Sequence, residues 1–113
     1  MANEQLISKD TPFDPEAILE VRNIRKCFPL KKTITGKVTS ELVAVDNVSF
    51  KLKAGETLGI VGESGCGKTT LGRTILKLHE PTGGQIIFDG KDITNLKSKD
   101  MREIRKQMQI IFQ

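Results

Sequence analysis

The run Gly62-Glu63-Ser64-Gly65-Cys66-Gly67-Lys68-Thr69 constrains this chain more than any other feature in it. Three glycines in six positions let the backbone curl until successive N–H groups point inward and form an anion-binding nest. The flanks fit the same purpose. Before the run, Thr57-Leu58-Gly59-Ile60-Val61 is apolar on both faces, as a central parallel strand would be. After it, Leu71, Ile75 and Leu78 recur at i, i+4 and i+7, which predicts a helix from about Lys68 to His79, stopped by Pro81 and Gly83-Gly84. Strand, glycine loop and helix together make an α/β unit whose helix dipole points its positive end into the loop.

The spacing fits G-x-x-x-x-G-K-[ST], the phosphate-binding P-loop. Lys68 supplies a compact positive charge for β- and γ-phosphate oxygens. Thr69 offers a hydroxyl to a Mg²⁺ that keeps several of its own waters. The site therefore reads as one for a nucleoside triphosphate. Asn95-Leu96-Lys97 does not supply the Asn-Lys-x-Asp that reads guanine, so ATP is the expected nucleotide. Ile86-Ile87-Phe88-Asp89 has the look of an apolar run ending in a Mg²⁺-holding Asp, but Gly90 follows and makes a hairpin turn the better reading.

Around this unit the chain reads as mixed α/β. Residues 1–16 hold Pro12 and Pro15, show no period, and are expected to form a flexible tail. Residues 17–55 predict an antiparallel β-subdomain. It begins with a strand over Ile18–Phe28, ended before Pro29, and a long hairpin loop follows over Lys31–Ser40. Strand character resumes at Glu41–Val45, and Val48, Phe50 and Leu52 then alternate with polar residues. Ala54-Gly55 makes a turn. Beyond the first helix, Gln85–Phe88 is a short strand turned by Asp89-Gly90. Ser98 or Asp100 can cap a second helix with Met101, Ile104 and Met108 on one face, and Gln109–Phe112 begins another strand.

Composition closes off several classes. A chain of 113 residues and 12.5 kDa is one domain's worth. No apolar run approaches the roughly 18–20 residues of a membrane helix, and the N-terminus has no signal-peptide pattern. Cys27 and Cys66 cannot build a disulfide framework, so a cytosolic location is the default. The net charge of +4 is uneven: five acids face only Lys9 in residues 1–20, whereas residues 21–53 carry eight basic and two acidic residues. Without Trp or Tyr, and with five Phe, that basic stretch lacks the interleaved aromatics of a single-strand nucleic-acid binder. It reads as a solvated face that also suits an anionic ligand.

With these residues placed, the sequence over about 17–113 resembles the N-terminal part of an ABC transporter ATP-binding subunit, and within that family the oligopeptide/dipeptide importer group. The likeness is carried by Lys26-Cys27-Phe28-Pro29-Leu30, Ala44-Val45-Asp46-Asn47-Val48-Ser49-Phe50 and the loop from Gly62 to Thr70. It continues through Leu71-Gly72-Arg73-Thr74-Ile75-Leu76, Glu80-Pro81-Thr82-Gly83-Gly84, Phe88-Asp89-Gly90-Lys91-Asp92 and Gln109-Ile110-Ile111-Phe112-Gln113. The extended 31–40 loop points to the peptide-importer branch.

The resemblance implies a P-loop NTPase fold of ABC type, with the β-subdomain leading into a parallel core. It implies that Phe28 stacks on adenine and that Gly62, Glu63, Ser64, Gly65, Cys66, Gly67, Lys68, Thr69 and Thr70 hold the phosphates. Gln113 would touch the Mg²⁺ held by Thr69 and sense the coupling helix of a membrane permease. The partners implied are permease subunits and a second ATP-binding subunit in a head-to-tail dimer, with peripheral association on the cytoplasmic side of the membrane. His79 matches no family position and reads as an ordinary helix-end residue. The Leu-Ser-Gly-Gly-Gln segment, the catalytic Glu and the switch His do not occur in the sequence. The expectation is therefore a fragment that binds ATP without hydrolysing it. The rival readings are a non-transport P-loop ATPase, a kinase, or a non-hydrolytic nucleotide-binding module.

Overall fold

The computed structural model describes residues 7–8, 10–32, 38–60 and 66–111. Two strands, β1 (Ala17–Lys32) and β2 (Val38–Lys53), form a long antiparallel hairpin. Helix α1 (Cys66–Ile75) follows, then β3 (Gly83–Phe88), β4 (Lys91–Asp92) and helix α2 (Ser98–Arg105). The sheet order is β2-β1-β3-β4, all antiparallel.

β1 is the central strand, and its side chains are sorted by face. Val21 and Ile24 enter the core with Val45, Leu71, Ile86, Phe88, Ile93 and Met101. The step of three between Val21 and Ile24 is made by an irregularity at Asn23, whose φ is 51°. Gly84 crosses this spot with φ 91°, and a Cβ there would stand 2.4 Å from the Asn23 carbonyl oxygen. The glycine read as a helix stop is thus required by close approach of two strands.

On the opposite face Glu20 and Arg22 are buried and joined at 2.6 Å. Arg22 also donates to the carbonyls of Thr11 (2.8 Å) and Pro12 (2.9 Å), with Phe13 stacked on the guanidinium. Residues 10–16 are held against β1 by these bonds. The Glu16 backbone N–H, seconded by Lys51, keeps the Asp14 carboxyl below the ordinary carboxylate range.

Several boundaries differ from the sequence expectation. β1 runs through Pro29 to Lys32 because its pairing with β3 ends at Arg25, leaving Pro29 paired to β2 alone, where a missing N–H breaks no second ladder. The two strands thus reach into the Lys31–Ser40 segment expected to be loop, at Lys31–Lys32 and Val38–Ser40; residues 33–37 lie outside the described residues. Thr57–Ile60 forms no strand, and Leu58 and Ile60 are 43% and 47% exposed. A parallel strand needs covered neighbours, and none flanks this segment among the described residues. Gln109–Ile111 likewise forms no strand.

Helix α1 ends at Ile75, not near His79. Leu78 N–H reaches the Arg73 carbonyl (2.8 Å), Lys77 N–H reaches Thr74 (3.0 Å), and Lys77 sits at φ 61°. That is a Schellman closure with lysine in the place usually taken by glycine. Leu78 consequently leaves the helix face and is 51% exposed. Neither Ser98 nor Asp100 caps α2: Lys97 is the N-cap, and its carbonyl takes the N–H of Asp100 and Met101. Met101 is buried, with Ile104 and Met108 packed on the same core. Asp89 (φ 51°) and Gly90 (φ 78°) form the tight turn expected of that pair. Among the described residues no helix is long and apolar enough to cross a membrane.

Candidate phosphate-binding site

The site is built on the first turn of α1. Cys66 opens the helix, and Gly67, Lys68, Thr69 and Thr70 complete the turn. Gly62, Glu63, Ser64 and Gly65 lie outside the described residues, as does Gln113. Helix geometry leaves the first N–H groups without carbonyl partners in the helix. This turn contains no acidic residue to compete for them.

Gly67 sets the placement of the turn. A Cβ at this position would stand 3.3 Å from the Ala44 carbonyl oxygen, tighter than ordinary contact. The hydrogen side chain lets the helix start press on the backbone of β2. Lys68 and Thr69 face solvent, while Thr70 and Leu71 are buried. Thr74 Oγ1 donates to the Thr70 carbonyl at 2.7 Å and ties the first turn to the second. An ammonium, a hydroxyl and helix N–H groups on one exposed turn, beside a backbone crevice that a Cβ would fill, are the donors a polyphosphate needs. A hydroxyl oxygen is also a hard ligand suited to Mg²⁺.

Phe28 is brought near this turn by hairpin register. It pairs with Leu42, two residues from the Ala44 against which Gly67 packs, a distance of roughly 7 Å along the strand. Its ring is half-buried and already engaged. His79 meets it edge-on (centroids 5.3 Å apart, planes at 84°), and the Lys26 ammonium stands over it at 5.0 Å. Lys26 Nζ also donates to the Glu80 carbonyl (2.7 Å). These neighbours were not legible in the sequence, because residues from β1 and from beyond α1 meet only through the sheet.

The opposite end of α1 is closed. Arg105 donates to the carbonyls of Leu76 (3.1 Å) and Lys77 (2.7 Å). The buried Lys77 ammonium bonds the Thr94 carbonyl (2.5 Å) and Glu80 (2.6 Å).

Comparison with known proteins agrees with this architecture. Residues 45–113 match the family described as ABC transporter. The oligopeptide transport ATP-binding protein AppF of Bacillus subtilis (strain 168) is 51% identical over 104 residues, covering 91% of this chain and 32% of that protein. The glutathione import ATP-binding protein GsiA of Shigella flexneri serotype 5b (strain 8401) is 46% identical over 110 residues, 97% of this chain and 18% of that one. A dimeric structure of MJ0796, a bacterial ABC transporter cassette, superposes with a TM-score of 0.68 at 27% identity, over 78% of this chain and 35% of that one. The same cassette in a post-hydrolysis state bound to ADP and Pi gives a TM-score of 0.67, at the same identity and coverage.

The chain belongs to the ABC transporter family. Its fold is that of part of an ATP-binding cassette, and it spans about a third or less of the length of these curated relatives.

Proposed function

We propose that this chain binds MgATP on residues 62–70 and serves in the energy-coupling subunit of an importer for peptides. The observation that carries the reading is the first turn of α1, where Gly67 packs on Ala44 while Lys68 and Thr69 stay exposed on a turn free of acids. Lys68 would neutralise β- and γ-phosphate oxygens, the 62–67 backbone would cradle them, and Thr69 with Gln113 would hold Mg²⁺. Bound there, Mg²⁺ would offset the phosphate charge. Phe28 would take the adenine ring.

Peptide import is supported by the oligopeptide and glutathione transport names of relatives 46–51% identical to this chain. A head-to-tail pair of such subunits, docked on permease subunits at the cytoplasmic side of the membrane, is the assembly proposed. Residues 1–16 are proposed as a segment preceding the cassette part at 17–113. Hydrolysis is proposed to belong to the complete cassette pair and ATP binding to this chain.

Isothermal titration of the full-length protein with MgATP tests the site. Lys68→Ala removes a charge-assisted contact, and affinity should fall roughly 10- to 150-fold. Equal affinities for the two proteins would sink the assignment.

A further inference from the structure

Two features around Phe28 have no role in phosphate binding. The segment His79–Thr82 is stitched to β1 by three hydrogen bonds: Lys26 Nζ to the Glu80 carbonyl (2.7 Å), Cys27 N–H to Thr82 Oγ1 (2.9 Å), and Thr82 N–H to the Arg25 carbonyl (2.8 Å). This fixes His79 edge-on to the Phe28 ring at 84° and keeps Lys26 over it. A partly exposed aromatic side chain otherwise samples several rotamers. Here the His79 ring and the Lys26 ammonium both bear on the half-buried Phe28 ring, which narrows the orientations it can take.

We propose that His79 and Lys26 are positioning residues for the nucleotide base: they hold the Phe28 ring in one orientation, ready for a purine to stack on it. The proposal rests on Phe28 being the base-stacking residue. It assigns His79 a role that its position after α1 does not suggest. The mechanism is pre-organisation, in which the ring is ordered before the ligand arrives and the ligand need not order it.

The experiment compares MgATP with magnesium tripolyphosphate, which has no base, by isothermal titration of the full-length protein. Phe28→Ala should weaken MgATP and leave tripolyphosphate unchanged. His79→Ala should raise the Kd for MgATP about two- to tenfold, the range expected for an aromatic edge contact. Tripolyphosphate binding should not move, and His79→Phe, which restores an aromatic edge, should recover MgATP affinity. Lys26→Met keeps the stem and removes the cation; it should weaken MgATP alone, by a smaller factor.

An equal loss for both probes in His79→Ala would overturn the proposal, since a general structural defect does not distinguish a base from its absence. No loss in His79→Ala alongside a clear loss in Phe28→Ala would overturn it while leaving the base-stacking reading intact. No loss in Phe28→Ala would remove that reading, and this proposal with it. Should His79→Ala fail to fold, Lys26→Met and His79→Phe carry the comparison.

Discussion

The two ends of α1 are built by opposite rules. At the N-terminal end, Gly67 removes bulk, Lys68 and Thr69 face solvent, and the first turn of the helix holds no acidic residue. At the C-terminal end the backbone is closed. Arg73 accepts two N–H groups, Leu76 and Lys77 accept from Arg105, and Lys77 is buried with its ammonium on Thr94 and Glu80. A helix has polar groups left over at both ends. This one leaves the donors of one end on an exposed turn and spends protein side chains on the acceptors of the other. The end proposed to bind phosphate and the closed end are thereby set apart along one ten-residue helix.

That separation can be broken experimentally. The largest effect belongs to the open end: Lys68→Ala should cost most of the MgATP affinity while leaving the melting temperature within a degree or so, because an exposed side chain contributes little to folding. Arg105→Ala should behave the opposite way. It removes two charge-assisted bonds to backbone carbonyls, so urea unfolding should report a loss of about 1.5–3 kcal/mol, with MgATP affinity unchanged. A variant at either end that moved both readouts equally would show that the ends are not independent.

Gly67→Ala lies between these extremes. Alanine raises helix propensity by about 1 kcal/mol, while crowding the Ala44 carbonyl costs about 1–3 kcal/mol. The net stability change should be small and unfavourable. The turn must shift away from β2 to make room, so affinity should fall severalfold. Denaturation and titration of the same sample check this; an unchanged Kd would mean that the close packing on β2 has no bearing on the ligand.

Much of this was readable in the sequence, for local reasons. Gly67 and Lys68 announce a helix start, and Asp89-Gly90 announces its turn, since each is set by the φ freedom and charge of adjacent residues. The places where the reading failed depend on distant neighbours. Pro29 stays in β1 only because β3 has already ended at Arg25. Thr57–Ile60 has a buried strand's composition, yet no strand lies beside it among the described residues. Nothing local marks Glu20 and Arg22 as buried, since the Thr11 and Pro12 carbonyls reach Arg22 only through the fold. The role of His79 was invisible because Phe28 reaches it only through the fold.

The smallest expected effect is also the sharpest test of the closed end, because it predicts a sign. Lys77 occupies the left-handed region at φ 61°, where an L-residue pays about 1–2 kcal/mol relative to the right-handed helix. It also makes two charge-assisted bonds, to Thr94 and Glu80. Lys77→Gly and Lys77→Ala both remove those bonds and leave the Thr94 carbonyl without its cation, so both should be less stable than the native protein. They differ in the backbone term. At an ordinary helix position alanine is more stable than glycine by about 1 kcal/mol. Here the order should invert, with glycine ahead by about 1 kcal/mol, because only glycine adopts φ 61° without a Cβ clash. Urea unfolding of the three proteins measures the order directly. If alanine proved the more stable of the two variants, the helix would have to run on past Ile75, and the closure that leaves Leu78 exposed and carries His79 to Phe28 would be wrong.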